Sequence, residues 1–198
     1  MRIAILGWGS LLWEGGLDFD RWHDPWEYDG PTLKLEFSRV SKQRLRALTL
    51  VIDTEHGVET AVAWCLSKRG TLADAMCDLR AREGTTLENI GQATITPEAK
   101  PLNCALTENA ITTWGRVKNL DAVIWTALKS NFQEKTTQPF SVGAVVSHLK
   151  TLTPEGKVKA AEYIWRALEF VKTPVRAALQ TEPWFSDAES TKSPTEKG

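Results

Sequence analysis

The sequence has few of the residues that usually build disulfide frameworks or metal sites. Its 198 residues include only three cysteines and three histidines. The cysteines are odd in number and form no CxxC pair, which fits a reducing compartment and predicts a cytoplasmic protein. His23, Asp24 and Glu27 lie close together in the chain. No second cluster follows at ligand spacing, so we expect no metal ion.

Long apolar runs and an excess of charge are also missing. No apolar stretch approaches the roughly 20 residues that a membrane span requires. The 24 basic residues nearly balance the 25 acidic ones, so the chain has no general attraction for nucleic acid or for an anionic membrane surface. We expect neither as a partner, and expect instead a small-molecule ligand bound at a local site.

Two glycines follow the first apolar run, in AILGWGSLLWEGG at residues 4–16. A dinucleotide fingerprint would need a small residue at Leu12, and a P-loop would need a Gly-Lys-Ser/Thr run that the sequence lacks. A nucleophile elbow would need glycines on both sides of Ser10, two residues away, and the acidic residues that follow disfavour a secretory signal. The run therefore predicts a buried strand leading into a loop with exposed backbone N–H groups. Gly9 is expected to have a positive φ or to let a substrate approach the backbone.

The remaining patterns predict one α+β domain over residues 1–185. Five runs are typical of strands: residues 32–40, 46–53, 58–67, 91–97 and 121–129, of which the last could also form a helix. The second and third would form a hairpin through the short turn at 54–57. From about Ser141 the pattern is helical, with a further helix beginning at Thr153-Pro154. Residues 186–198 have almost nothing to bury and are expected to be disordered.

One carboxylate lies where an apolar residue would be expected. A helix is predicted from an N-cap at Thr71 to a stop at Gly84. Its apolar stripe consists of Leu72, Met76 and Leu79 and ends at Glu83. Poor solvation and the partial negative charge of the helix C-terminus would both raise the pKa of Glu83, making it a better proton acceptor near neutral pH. The alternative is a frayed helix end, where Glu83 pairs in water with Arg80 or Arg82.

Other polar groups give weaker signals. The run SRVSKQRLR would place Lys42, Arg44 and Arg46 on one face of a strand, where they could hold a carboxylate or remain in water. His56 lies in a predicted turn and His148 on a predicted helix, and neither has a partner in the sequence that would indicate a catalytic triad. We interpret both histidines as structural.

Four segments, in this order, resemble the gamma-glutamylcyclotransferase family, including its ChaC-like branch. They are GWGSLLW at 7–13, LEFSRVS at 35–41, TAVAWCL at 60–66 and LRAREG at 79–84. In that family a Tyr-Gly-Ser-Leu type loop follows the first strand, and a glutamate follows a helix that comes after a strand resembling GVAYRL or GVVWKM. Residue by residue, the loop matches Gly9, Ser10 and Leu11, and the glutamate matches Glu83. The resemblance covers about residues 2–95.

The resemblance implies a mixed, mostly antiparallel sheet curled toward a barrel with surrounding helices. It also implies a cofactor-free enzyme, a lyase or acyltransferase of glutathione or γ-glutamyl metabolism. Glu83 would take a proton from the α-amine of a γ-glutamyl substrate, and the freed amine would attack the γ-carbonyl and release 5-oxoproline with an amine or amino acid. Backbone N–H groups from Gly9 to Leu11 would hold the oxyanion or the substrate carboxylate. Gly7 and Trp8 complete the expected binding loop.

The sequence departs from the family at the loop tyrosine, which is Trp8 here and offers an N–H donor but no hydroxyl acceptor. With only two tyrosines in the chain, aromatic hydroxyls used elsewhere in the family could be missing. Glutathione, γ-glutamyl amino acids and γ-glutamyl amines all stay open as substrates, and the tryptophan-rich first 26 residues favour a bulky or apolar leaving group. Two alternatives also stay open: a binding module without turnover, and an enzyme that cleaves or exchanges γ-glutamyl amides in natural-product assembly.

Overall fold

Two β-sheets with helices packed against them make up the α+β fold of this chain. The structure is a computed structural model, which describes residues 1–95 and 106–185. The strands are β1 (Ile3–Gly7), β2 (Thr32–Val40), β3 (Leu48–Ile52), β4 (Val58–Ala61), β5 (Ala63–Leu66), β6 (Ile90–Thr94) and β7 (Ala122–Thr126). The predicted tail at 186–198 lies outside the described residues, as does the end of the strand predicted at 91–97.

The first sheet is mixed and has the strand order β5-β1-β7-β6. β1 is parallel to β7 and antiparallel to β5, while β6 pairs antiparallel with β7. All five residues of β1 are buried, because the sheet is covered on both faces. Ile3 and Ile5 belong to one apolar cluster, and Ala4 and Leu6 to another. This two-sided burial explains why β1 is a continuous apolar run without alternation.

The second sheet is antiparallel, and its arrangement shows that the predicted hairpin is wrong. β3 pairs with the second half of β2 and β4 pairs with the first half, so both run in the same direction beside it. Asp53 explains the connection, because its Oδ1 accepts hydrogen bonds from the N–H groups of Glu55 (3.1 Å) and His56 (2.9 Å). The resulting turn carries the chain forward along β2 instead of reversing it.

The expected curling toward a barrel is also wrong, because the two sheets do not close. The strand predicted at 58–67 divides at Val62, with β4 in one sheet and β5 in the other. The outer edge of β5 is occupied by a loop, since Glu27 and Trp64 exchange backbone hydrogen bonds of 2.7 and 2.8 Å and Gly30 N–H donates to Val62 O at 3.0 Å. Within the described ranges, that loop takes the place that a strand of the second sheet would need for closure.

Helices cover both sheets. They are α1 (Leu17–Asp20), α2 (Leu72–Glu83), α3 (Leu106–Val117), α4 (Phe132–Thr136), α5 (Val142–Lys150), α6 (Pro154–Arg166) and α7 (Pro174–Leu179). The predicted bounds of α2 are confirmed: Thr71 Oγ1 accepts the Asp74 N–H at 3.2 Å, and Gly84 has the left-handed φ of 59°. The helices expected after Ser141 are present, whereas α3 was not anticipated. No helix in the described residues is long and apolar enough to cross a membrane.

We predict that Gly30→Ala destabilises the fold at the crossing between the sheets. A Cβ on Gly30 would overlap the carbonyl oxygen of Val62, and backbone cannot move aside as a flexible side chain can. The cost should be about 1–3 kcal/mol in the free energy of unfolding, measured by urea denaturation. Gly70→Ala is the matched control, because nothing lies within 4 Å of its Cβ position. Equal stability of the two variants would contradict this account.

Candidate functional site

A cavity of about 160 Å³ lies where the end of β1, the end of α2 and the edge strand β3 meet. Its polar lining includes Ser10, Glu14, Arg39, Arg44, Glu83 and Tyr163. The loop that follows β1 forms a 3₁₀ turn over Gly9–Leu12, and this turn borders the cavity. The site therefore combines residues of both sheets and of the segments that follow β1 and β2 with the end of α2 and one residue of α6.

Glu83 is the last residue of α2, and its side chain is only 19% exposed. Burial raises the pKa of Glu83, and the negative charge of Glu14 raises it further. Arg82 and Arg44 act in the opposite direction, but Arg82 Nη1 is as far as 3.9 Å from the Glu83 carboxylate. The structure thus places Glu83 in the cavity and also gives it an arginine neighbour, so each of the two interpretations of the sequence is met in part.

Arg82 is bound mainly to backbone oxygens. Its Nη2 donates to the carbonyl of Ser10 at 3.3 Å and to the carbonyl of Glu14. These bonds connect the end of α2 to the loop after β1, and so fix the position of Glu83 relative to that loop. Because the guanidinium donates to carbonyl groups, it is not drawn into a close ion pair with Glu83.

Gly9 lies directly beneath the hydroxyl of Tyr163. Its φ of 62° confirms the predicted left-handed conformation, and a Cβ at this position would overlap Tyr163 Oη. Tyr163 is buried, which raises its pKa to about 12, and its hydroxyl interacts with the Ser10 N–H. At neutral pH the hydroxyl is therefore protonated and able to donate.

The free edge of β3 is bound by two aromatic side chains of the site. Leu50 N–H donates to the Tyr163 hydroxyl at 3.4 Å, and the Trp8 indole N–H donates to Leu50 O at 3.2 Å. The only polar atom of Trp8 is thus engaged with the protein. A tyrosine hydroxyl is present in the cavity after all, but it comes from α6 instead of the loop.

Arg44 enters the cavity from the connection between β2 and β3. Residues 41–47 form a loop instead of the predicted strand, with Leu45 and Arg46 in the left-handed region at φ 53° and 69°. One nitrogen of Arg44, Nη2, donates to both carboxylate oxygens of Glu14 at 2.6 and 2.7 Å. Arg44 also lies over the Tyr163 ring, 4.8 Å from its centroid. Lys42 and Arg46 are exposed, so the predicted common face does not exist.

The predicted site residues fall into two groups. Glu83, Trp8, Ser10 and Leu11 line the cavity. Gly7 and Gly9 do not line the cavity but allow close packing beside it. A Cβ on Gly7 would overlap the Trp26 ring, and one on Gly9 would overlap Tyr163.

Sequence reasoning missed Arg39 and Tyr163, and named Arg82 only as a possible partner of Glu83. The basic run at 38–46 was a signal for Arg39, but nothing local marks Tyr163, which reaches the site only through folding. Of the four tryptophans in the first 26 residues, Trp8 lines this cavity, and Trp13, Trp22 and Trp26 do not. Among the described residues, no group of three or more His, Cys, Asp or Glu side chains is placed to hold a metal ion.

No protein-family model matches this chain, and no curated protein sequence matches it.

We predict that Gly9→Ala destabilises the protein in a manner that depends on Tyr163. The left-handed φ alone costs about 1–2 kcal/mol for a residue with a Cβ, and overlap with the hydroxyl should add about 1–3 kcal/mol. Tyr163→Phe removes the overlapping oxygen, so Gly9→Ala should cost about 1–3 kcal/mol less in that background. Urea denaturation of the four proteins measures this coupling, and strictly additive costs would show that the two residues do not touch.

Proposed function

We propose that this protein is a cofactor-free cyclotransferase that acts on a γ-glutamyl compound and releases 5-oxoproline together with an amine or amino acid. The observation that carries the proposal is the Glu83 carboxylate, held in a cavity beside a glycine loop with its pKa raised. A desolvated carboxylate of this kind is suited to accept a proton near neutral pH. The sequence resemblance adds support from the order of four segments in the first half of the chain.

The proposed reaction balances without any further reagent. Glu83 accepts a proton from the α-ammonium group of the substrate. The free amine forms a bond to the γ-carbonyl carbon and gives up a second proton as the ring closes, and the bond from that carbon to the leaving nitrogen breaks. Glu83 passes the two protons in turn to the leaving nitrogen, which departs as an ammonium group. Because nucleophile and carbonyl belong to one molecule, orientation within the cavity lowers much of the barrier.

Two kinds of donor are available for the oxygen that becomes negative. The 3₁₀ turn over Gly9–Leu12 begins with backbone N–H groups that have no acceptor inside the turn. The Ser10 N–H already interacts with the Tyr163 hydroxyl, so the Gly9 N–H is the donor of this turn that the proposal uses. Tyr163 contributes a protonated hydroxyl whose oxygen already accepts from Leu50. Donors fixed in this way need no reorganisation as charge develops, which is the usual basis of oxyanion stabilisation.

We predict that Glu83→Gln lowers the rate of 5-oxoproline release by a factor on the order of 100 or more, while the protein stays folded. The substitution keeps the shape of the side chain and removes its ability to accept a proton. Glu88→Gln is the matched control, since Glu88 is an exposed glutamate five residues further on. The substrates should include γ-glutamyl dipeptides, γ-glutamyl amines and glutathione, assayed with chelator and without nucleotide.

The other possible outcomes of that assay would support a different mechanism or a different function. Near-normal activity of Glu83→Gln would remove Glu83 from the mechanism. Absence of wild-type activity on every one of these substrates would favour a binding module of the same fold. Cleavage or exchange of the amide without 5-oxoproline would favour the amide-cleaving enzyme, and dependence on added ATP or metal would exclude the proposed mechanism.

The pH dependence of kcat/KM gives a second test. Glu83 must be ionised to accept a proton, so activity should fall as the pH drops through its raised pKa, above the ordinary value of 4.5. Glu14→Gln removes a negative neighbour that raises this pKa and frees Arg44, which lowers it. Both effects should move the acidic limb of the pH profile, where kcat/KM falls, to lower pH. Glu88→Gln should leave this limb in place. An unchanged limb in Glu14→Gln would show that the titrating group is not Glu83.

A further inference from the structure

The charged groups that line the cavity do not balance. Among the described residues, three arginines face it, namely Arg39, Arg44 and Arg82, but only two carboxylates do, those of Glu14 and Glu83. The raised pKa of Glu83 increases the positive excess whenever that group is protonated. A cavity of this composition attracts a ligand with at least one more negative than positive charge.

Arg39 is the arginine that accounts for the excess. Arg44 is bound to Glu14, and Arg82 lies 3.9 Å from Glu83. Arg39 donates through Nη1 to the carbonyl of Lys129 at 2.7 Å, and among the described residues no carboxylate lies within 4 Å of its guanidinium. The longer-range attraction of Glu134 does not replace such a partner, because Glu134 is paired with Lys135 at 2.6 Å.

The position of Arg39 indicates which part of a substrate it would meet. Arg39 belongs to β2 in the second sheet, next to a bulge at Ser38, where the register shifts between Phe37 and Arg39. Glu83 and the glycine loop belong to α2 and to the end of β1, on the side of the first sheet. The α-amine that Glu83 must reach is one carbon from the α-carboxylate of a γ-glutamyl compound, so both of these groups lie on the Glu83 side.

We propose that Arg39 binds a carboxylate on the leaving portion of the substrate, so that the protein acts on γ-glutamyl amino acids or peptides in preference to γ-glutamyl amines. This inference rests on the proposed cyclotransferase function. The glutamyl head carries one positive and one negative charge, and a carboxylate on the leaving portion supplies the extra negative charge that the cavity lacks. The planar guanidinium can accept that group with two parallel hydrogen bonds.

The test uses a matched pair of substrates, γ-glutamylalanine and γ-glutamylethylamide, which differ only by the carboxylate on the leaving group. We expect the wild-type protein to prefer γ-glutamylalanine by about 10–100-fold in kcat/KM, mainly through KM, as for one charged hydrogen-bonded contact. Arg39→Gln should abolish the preference by lowering kcat/KM far more on γ-glutamylalanine than on γ-glutamylethylamide, and Arg39→Lys should keep part of the preference. Arg46→Gln, an exposed arginine outside the cavity lining, is the control.

A second measurement separates this inference from the proposed function. Calorimetric dissociation constants for the same two compounds, measured with Glu83→Gln and with Glu83→Gln combined with Arg39→Gln, report recognition without turnover. An Arg39-dependent preference for γ-glutamylalanine supports the inference. Equal losses on both compounds would overturn it, because they would assign Arg39 to the glutamyl head or to the fold. Absence of turnover by the wild-type protein on any compound would instead contradict the proposed function.

Discussion

The free edge of β3 is the constraint on which the site depends. An edge strand presents backbone groups that the sheet cannot satisfy, and burying them without partners would cost free energy. At Leu50 both groups are satisfied by side chains, the N–H by the Tyr163 hydroxyl and the carbonyl by the Trp8 indole. These residues lie 113 and 42 positions from Leu50 in the chain. Covering one edge therefore brings α6 and the loop after β1 together above the same strand.

The positions of the other site residues follow from that arrangement. With Tyr163 fixed on the edge, its hydroxyl lies against Gly9, which has no room for a side chain. The loop that Gly9 begins then presents the carbonyls of Ser10 and Glu14 to Arg82. Arg82 is next to Glu83 in the chain, so the same bonds that hold the loop also hold the end of α2. The edge of β3, the loop after β1 and the Glu83 carboxylate are therefore held in place by one network of contacts.

Local signals predicted part of this arrangement and long-range packing decided the rest. The N-cap at Thr71, the stop at Gly84 and the apolar stripe that ends at Glu83 all act within one helix, so the sequence contains them. Tyr163 carries no local signal, because its role depends on an edge strand more than one hundred residues away. The predictions of a hairpin and of a barrel are wrong for the same reason. Strand patterns predict strands, but the turn at Asp53 and the loop on β5 determine which strands pair.

The electrostatics of the site show why Glu83 can stay basic among three arginines. A tight ion pair would stabilise its charged form and lower its pKa. Arg44 is instead held by Glu14, and Arg82 is held by backbone carbonyls and reaches Glu83 only at 3.9 Å. Each of these two arginines thus donates to another acceptor. Both still lower the pKa of Glu83, but burial, the largest cause, raises it. Glu14, although far more exposed than Glu83, therefore affects the basicity of Glu83 in two ways, through its own charge and through its hold on Arg44.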